Sequence, residues 1–257
     1  MNIILITGAS SGIGREFAVQ MDKAFSNIDE IWVVARNEIL LKQLQKELSH
    51  KTRCFPIDIT EREQVDELES ALRTENARIC VLVNSAGYGI MGQVADMTQK
   101  ESLGMIRLNC EALTDLTIRA IPYMKKNGRI IQMASSAAFL PQPGFAIYAA
   151  SKAYVLSFSR ALKTELQKKG ISVTAVCPGP VDTPFFEIAE RHVNTMPIKR
   201  LIMTTPEKVV KKALFDAYHK KSRSVCSIPM QTFELICKLM PHDLLLTCIY
   251  GMKGRSK

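Results

Sequence analysis

Two side chains with complementary proton chemistry lie four residues apart in this sequence. Tyr148 and Lys152 belong to the segment Tyr-Ala-Ala-Ser-Lys, and on an α-helix this spacing places both side chains on one face. A phenol has an ordinary pKa of about 10, too high for easy proton exchange at neutral pH. A neighbouring ammonium lowers that pKa, so the pair predicts a group that donates and accepts a proton. The same spacing is also common in helix surface packing, so a second signal is needed.

The second signal is a glycine-rich turn directly after the first apolar segment. Residues 7–14 read Thr-Gly-Ala-Ser-Ser-Gly-Ile-Gly, between a predicted strand and a predicted helix. Glycines in this context allow a tight turn, close approach of the backbone to a pyrophosphate and close helix packing. The free N–H groups at the start of the helix then bind the anion. We therefore predict a dinucleotide site that includes Gly8, Ser10, Ser11, Gly12, Ile13 and Gly14.

Short apolar segments alternate with longer amphipathic ones along the chain, a pattern typical of βαβ units. We predict an α/β fold: a single doubly wound Rossmann-type domain over residues 1–257, with a seven-stranded parallel sheet and helices on both faces. The predicted strands are Ile3–Ile6, Ile31–Ala35, Arg53–Pro56, Ile79–Val83, Arg129–Met133, Ser172–Val176 and Ser224–Ile228. The predicted helices are Ile13–Lys23, Asn37–Ser49, Glu61–Thr74, Lys100–Lys125, Ala146–Lys169 and Glu207–Lys220.

Local signals predict where some of these helices begin and end. Thr60 and Glu63 have the spacing of a capping box at the start of the third helix. Asn127-Gly128 and Lys169-Gly170 are predicted helix stops.

Four motifs, in this order, resemble those of the classical short-chain dehydrogenase/reductase family. They are the turn Thr7–Gly14, Asn84-Ser85-Ala86-Gly87 after the fourth strand, the Tyr148–Lys152 segment, and Pro178–Thr183 after the sixth strand. Ser85 stands where the family usually has a second asparagine. The resemblance covers about residues 1–230. It implies an oxidoreductase that transfers a hydride between a nicotinamide and a ketone, an aldehyde or a secondary alcohol.

The resemblance also implies a catalytic set of Asn109, Ser135, Tyr148 and Lys152. Ser135 lies thirteen residues before Tyr148, at the family's serine position, where its hydroxyl would orient the substrate carbonyl. The adjacent Ser136 is the alternative. Asn109 would help to hold a water that links Lys152 to solvent. A nicotinamide cation near Tyr148 would assist Lys152 in lowering the phenol pKa.

The end of the second strand predicts NADP rather than NAD. No carboxylate is present there to bind the adenosine ribose, and Arg36 offers a guanidinium to a 2′-phosphate. Asp58 matches the family aspartate that contacts adenine, or else it caps the following helix. Together with the glycine turn, the predicted cofactor contacts are Arg36, Asp58, Ile59, Asn84, Ala86, Gly87, Tyr148, Lys152, Pro178, Gly179, Val181 and Thr183.

The predicted substrate side is apolar. Phe139, Leu140, Phe145, Phe185 and Phe186 suggest a hydrophobic pocket, although such residues are also ordinary core. Residues 184–204 would form a lid over the substrate. Residues 229–257 are a C-terminal extension with two short amphipathic helices that cap the pocket, pack on another subunit or contact a membrane; packing is favoured over membrane contact.

The composition of the chain argues against nucleic-acid and metal binding and indicates a cellular compartment. The net charge of +9 comes from Lys and Arg residues spread along the 257-residue chain, which favours a solvated surface over a nucleic-acid site. Seven cysteines without a CxxC pair predict reduced thiols and no metal site. With no signal peptide and no transmembrane segment found, we expect a cytoplasmic protein.

The resemblance also implies that the protein forms a homodimer or homotetramer, in which subunits pair through the helices that carry Asn109 and Tyr148. A 3-oxoacyl reductase and a catalytically silent NADP-binding regulator remain as alternative functions.

Overall fold

Seven strands form one parallel sheet in the computed structural model, which describes residues 1–191 and 203–253. The strand order is β3-β2-β1-β4-β5-β6-β7, and every neighbouring pair is parallel. This is the predicted doubly wound α/β arrangement, and it is confirmed. The strands are β1 Asn2–Thr7, β2 Glu30–Val34, β3 Thr52–Phe55, β4 Arg78–Asn84, β5 Met124–Met133, β6 Ser172–Val176 and β7 Arg223–Ser224.

Helices cover both faces of this sheet. On one face α1, α2 and α8 pack on a core that includes Phe17, Leu41 and Val210. On the other face α3, α5 and α6 pack on a core that includes Leu68 and Leu162. The helices are α1 Gly12–Ala24, α2 Glu38–Glu47, α3 Arg62–Thr74, α4 Gln99–Ile106, α5 Leu113–Ala120, α6 Ala146–Leu166, α7 Phe185–Ala189, α8 Pro206–Tyr218, α9 Ile228–Leu239 and α10 His242–Lys253.

The long helix predicted over Lys100–Lys125 is wrong in its length and its regularity. A π-helical segment, Arg107–Ala112, separates α4 from α5. After α5 a short 3-10 turn contains Pro122, which cannot continue an α-helix, and β5 then begins at Met124. Asn127-Gly128 is therefore not a helix stop. Asn127 lies inside β5 with φ +66°, where the register with β4 shifts.

The seventh strand is shorter than the predicted Ser224–Ile228. It ends at Ser224, and α9 begins at Ile228 with Pro229 in its first turn. Proline at the start of a helix lacks only an N–H that would be unbonded anyway, so Pro229 favours a helix start there. Residues 225–228, which are apolar except for Ser227, are too few to show a periodicity that separates strand from helix.

The structure confirms one of the predicted helix boundaries and contradicts another. The stop at Lys169-Gly170 is confirmed, because Gly170 adopts the left-handed conformation with φ +73°. The capping box at Thr60 and Glu63 is wrong: α3 starts after Glu61, and Thr60 donates its hydroxyl to Asp58 instead. A capping box does form at Thr98, where α4 begins. Among residues 1–191 and 203–253 no helix combines the length and apolarity that crossing a bilayer requires.

Candidate active site

A cavity of about 1490 Å³ opens at the carboxyl ends of the strands. The turn after β1, the end of β2, the loops after β3 and β4, and the start of α7 form its walls. This is the place where doubly wound folds bind ligands. The predicted cofactor residues that line the cavity are Gly8, Ser10, Ser11, Gly12, Ile13, Gly14, Arg36, Asp58, Ile59, Ala86, Gly87 and Thr183.

The glycine turn has the shape that the sequence predicted, for reasons visible in the packing. Gly8 has φ +67°, and a Cβ on it would lie 2.7 Å from the main-chain nitrogen of Ala86. A Cβ on Gly14 would lie 2.2 Å from the Gly8 carbonyl oxygen. Thr7 secures the same contact, since its hydroxyl accepts hydrogen bonds from the N–H groups of Ser85 and Ala86, each at 3.2 Å. The turn therefore leaves a cradle of main-chain atoms that only glycine permits.

Arg36 and Asp58 face each other across the mouth of this cavity. The guanidinium of Arg36 lies 3.8 Å from a carboxylate oxygen of Asp58, and the Arg36 side chain is 76% exposed. Asp58 also accepts hydrogen bonds from the main-chain N–H and the hydroxyl of Thr60, at 3.0 and 2.7 Å. Asp58 thus fixes the turn before α3 without capping the helix, whose N-cap is Glu61. It also lines the cavity, and its contact with adenine stays a prediction. Arg15, in the first turn of α1, is paired with Glu47 of α2 and is not part of the cavity lining.

Ser135, Tyr148 and Lys152 converge beneath the inner end of the cavity. The Ser135 hydroxyl is hydrogen-bonded to the Tyr148 phenol and accepts the N–H of Ala137 at 3.1 Å. The Lys152 ammonium donates to the Met133 carbonyl at 2.7 Å and lies 5.7 Å from the centre of the Tyr148 ring. Ser136, the alternative to Ser135, uses its N–H to bind the Pro178 carbonyl at 2.8 Å. The structure thus brings the Ser135 hydroxyl to the phenol.

Burial controls the protonation of this group. It raises the pKa of Tyr148 to about 12, and the hydrogen bond from Ser135 offsets only part of that effect. It also lowers the pKa of Lys152 to about 8. Desolvation of the phenolate is thus the largest influence on the Tyr148 pKa in the protein without a cofactor. That Lys152 and a nicotinamide cation together lower this pKa stays a prediction.

Asn109 lies in the π-helical segment and is fully buried. Its amide nitrogen donates to the Tyr88 carbonyl at 2.9 Å and to the Ser151 hydroxyl at 3.0 Å. Its carbonyl oxygen accepts the Tyr88 N–H at 3.1 Å. A Cβ on Gly87 would lie 2.9 Å from that oxygen and 3.3 Å from the Lys152 nitrogen. Asn109 therefore fixes the loop after β4 directly beside Lys152.

Several predicted cofactor residues lie behind the cavity wall. Asn84 directs its amide to the Thr117 hydroxyl at 2.9 Å, within the core. Gly179 packs against Met230 of α9, and Val181 forms an isolated bridge with Thr204. The predicted contacts that are outside the cavity lining are Asn84, Tyr148, Lys152, Pro178, Gly179 and Val181.

Aromatic side chains separate Tyr148 from the open part of the cavity. The Phe145 ring stacks on Tyr148 at 4.3 Å, and the Phe185 ring lies at 5.5 Å from it. Phe185, which begins α7, is part of the cavity lining. The Met91 N–H binds the carbonyl of Ala189 at 2.8 Å, which joins the loop after β4 to α7. Of the predicted lid, residues 192–202 lie outside the described part of the chain.

Sequence reasoning missed several lining residues. Asn37 and Tyr88 directly follow the predicted contacts Arg36 and Gly87, so their position in the chain was an available signal. Gly104 and Arg107 come from α4 and the π-helical segment, and no motif marks them. The hydroxyl of Tyr88 reaches α4, where a Cβ on Gly104 would lie 2.3 Å from it. In the described ranges, no group of three or more His, Cys, Asp or Glu residues could hold a metal ion.

This fold and this arrangement define a Rossmann-type α/β protein with a tyrosine and a lysine at the carboxyl end of its sheet. Residues 2–193 match the short chain dehydrogenase family, and the chain therefore belongs to it. An uncharacterized oxidoreductase of Staphylococcus epidermidis is 31% identical over 187 residues, which cover 72% of this chain and 80% of the relative. A 3-oxoacyl-(acyl-carrier-protein) reductase of Thermotoga maritima is 28% identical over 225 residues, 86% and 92% of the two chains.

Two solved structures are similar over the whole chain. A short-chain dehydrogenase from Sphingobium yanoikuyae in complex with NADPH has a TM-score of 0.77 and 27% identity, covering 100% of this chain and 97% of that one. A bulky-bulky ketone specific alcohol dehydrogenase from Comamonas testosteroni has a TM-score of 0.73 and 26% identity, covering 100% and 95%.

Proposed function

We propose that this protein is an NADPH-dependent reductase of apolar ketones or aldehydes, which also oxidises the corresponding alcohols. The observation that carries the proposal is the position of Ser135, Tyr148 and Lys152 beneath the inner end of a cavity whose other parts are the glycine turn and Arg36. The glycine turn and Arg36 at one end of the cavity would take a diphosphate and an adenosine, and the groups that handle a proton lie behind the wall at the other end. When bound, the nicotinamide supplies or accepts the hydride.

The protein's own groups then act on the carbonyl oxygen. Ser135 donates a hydrogen bond that orients it, and Tyr148 donates the proton that the reduced oxygen needs. Lys152 supplies positive charge to the phenolate that remains. Both polar ends of the Asn109 side chain are engaged with Tyr88 and Ser151, so Asn109 positions the loop beside Lys152.

Arg36 supports NADPH over NADH. Its side chain is exposed at the cavity mouth, its partner Asp58 is 3.8 Å away, and a 2′-phosphate there would gain a charge-assisted hydrogen bond. Gly8, Gly12 and Gly14 form the cradle for the diphosphate, and Thr183 lies within 3.3 Å of a Cβ placed on Gly12. The Sphingobium neighbour, which binds NADPH, supports the same preference.

Apolar walls support a hydrophobic substrate. Phe145 and Phe185 cover Tyr148, and Ile90, Phe185 and Ile188 line the cavity beside them. The Comamonas neighbour, a dehydrogenase for bulky ketones, agrees with such a pocket.

The Thermotoga relative favours a second candidate function, 3-oxoacyl reduction. Besides Arg36, the cations in the cavity lining are Lys100, Arg107 and Arg191, which would attract an acyl carrier's phosphopantetheine.

The deciding experiment measures the loss of reduced nicotinamide absorbance with purified protein. Aromatic ketones, steroid ketones and 3-oxoacyl thioesters are offered in turn, each with NADPH and with NADH. We expect turnover of apolar ketones and a higher kcat/KM with NADPH. Better turnover with NADH contradicts the cofactor assignment, and strict dependence on a carrier-bound thioester establishes the second candidate. Tight NADPH binding without turnover of any carbonyl would instead indicate a silent regulatory protein.

A further inference from the structure

Helix α9 has apolar side chains on two opposite faces. On its inner face Met230, Phe233 and Cys237 belong to a core cluster with Phe139 and Val225. The Phe233 ring lies 6.4 Å from the Phe139 ring. This face holds α9 against the domain and accounts for its place in the fold.

The outer face of α9 carries a second apolar stripe. Ile228, Leu235 and Leu239 are 78%, 55% and 72% exposed, and Thr232 completes the stripe. The intervals between these four residues are four, three and four, which is the a/d spacing of a coiled-coil seam. Within the residues that the structure describes, nothing covers this seam. A helix that is apolar on opposite sides is ordinarily buried on both.

The charges on α9 argue against a bilayer as the partner. A helix that lies on a membrane surface carries a polar face rich in Lys and Arg. The charged residues of α9 are Glu234 and Lys238, and Glu234 is paired with Arg223 of β7. Lys238 alone flanks the seam. A surface with heptad spacing and a single cation fits another helix better than it fits anionic lipid.

We propose that α9 pairs in an antiparallel manner with α9 of a second copy of this chain, around a two-fold axis. A two-fold interface is self-complementary, so one stripe meets the same stripe. Ile228 then packs against Leu239 of the second copy, and Thr232 against Leu235 of the second copy. Lys238 lies beside the neutral Gln231 of the second copy, so no like charges meet. This interface differs from the one that family resemblance implies, which uses the helices carrying Asn109 and Tyr148.

A crosslinking experiment tests the geometry in the full-length protein. Cys248 is an exposed free thiol, so the background variant is Cys248→Ser. In that background Thr232→Cys is treated with a short bis-maleimide, and we expect a covalent dimer. The matched control is Ile39→Cys, at a position on α2 that is 71% exposed and far along the chain from α9. Equal crosslinking of the two variants overturns the proposal.

Sedimentation over a range of concentrations tests the energetics. Leu235→Glu with Leu239→Glu should halve the mass of the assembly, whether the wild type is a dimer or a tetramer. Because both side chains are exposed within one copy, circular dichroism should keep its wild-type spectrum. The melting temperature should fall, since association stabilises the folded chain by mass action. Ile39→Glu should leave the mass unchanged.

Three outcomes overturn the proposal. The first is a wild-type chain that is monomeric at all concentrations. The second is a double variant that keeps the wild-type mass. The third is wild-type protein that sediments with phosphatidylglycerol vesicles and loses that binding in the double variant, which would make the seam a lipid-binding face.

Discussion

The side-chain amide of Asn109 donates a hydrogen bond of 3.0 Å to the hydroxyl of Ser151. Ser151 in turn donates to the main-chain carbonyl of Tyr148 at 2.7 Å. One buried hydroxyl therefore joins the π-helical segment to the first turns of α6. Since Asn109 also binds both main-chain polar groups of Tyr88, this chain of bonds fixes the loop after β4 relative to Tyr148.

Replacing Ser151 with alanine should cost about 1–3 kcal/mol of unfolding free energy, because it leaves a buried amide N–H of Asn109 without this acceptor. Urea denaturation measures the change. Ser157 lies on the same helix and is exposed, so Ser157→Ala is the control and should stay within about 0.5 kcal/mol of wild type. Equal effects of the two substitutions would show that the hydrogen bond does not stabilise the fold.

Tyr148→Phe should lower kcat by about 10²- to 10⁴-fold, the usual contribution of a positioned proton donor. The phenylalanine ring keeps the packing on Phe145 and Phe185, so the fold should be retained. Fluorescence of bound NADPH should show an unchanged Kd. A variant with near-normal turnover would remove Tyr148 from the reaction.

Arg36→Asp should reverse the cofactor preference. The new carboxylate repels a 2′-phosphate and accepts hydrogen bonds from a ribose hydroxyl, so we expect KM for NADPH to rise about tenfold or more while NADH improves. Asp58 lies 3.8 Å from the guanidinium and would face a like charge in this variant, so Arg36→Asp combined with Asp58→Asn separates the two effects. An unchanged ratio of kcat/KM for the two cofactors would exclude Arg36 as the determinant.

Gly8→Ala should abolish dinucleotide binding and destabilise the protein. Gly8 has φ +67°, and the added Cβ would lie 2.7 Å from the main-chain nitrogen of Ala86, which cannot move away easily. Gly144 is a matched control because it has φ +77° but nothing within 4 Å of a Cβ. Gly144→Ala should cost only the left-handed conformation, about 1–2 kcal/mol. Similar losses in both variants would contradict the role of close packing at the turn.

The buried lysine predicts a pH dependence of stability. Burial lowers the pKa of Lys152 to about 8 from an ordinary value of 10.5, so between these values the unfolded chain binds the proton more tightly than the folded one. Unfolding free energy should therefore rise as pH increases from 8 to 10, by roughly 2–3 kcal/mol relative to Lys152→Met. Above pH 10 the trend should weaken, because ionisation of Tyr148 then favours the unfolded chain. Parallel profiles for wild type and Lys152→Met would refute this assignment.

Local signals in the sequence were enough for the glycine turn and for most of the elements. The turn residues Gly8, Gly12 and Gly14 act within one short segment, and the buried strands show as apolar stretches, so the α/β fold followed directly. The same local signals predicted the wrong secondary structure where one residue pattern is compatible with two conformations. Val225, Cys226 and Ile228 make residues 225–228 resemble a strand, but α9 begins at Ile228 with Pro229 in its first turn. Asn127-Gly128 forms a strand irregularity although the same pair commonly ends helices.

By itself the sequence determined that a glycine turn follows the first strand of a parallel sheet and that a tyrosine and a lysine share one face of a helix, because apolar stretches, turn glycines and helical spacing are local patterns. Only the tertiary structure decided that Ser135 reaches the phenol, that Asn109 binds Tyr88 and Ser151, and that the pKa of Tyr148 rises. These properties depend on contacts between residues distant in the chain and on how completely water is excluded from them. Neither can be predicted from a short segment of the sequence.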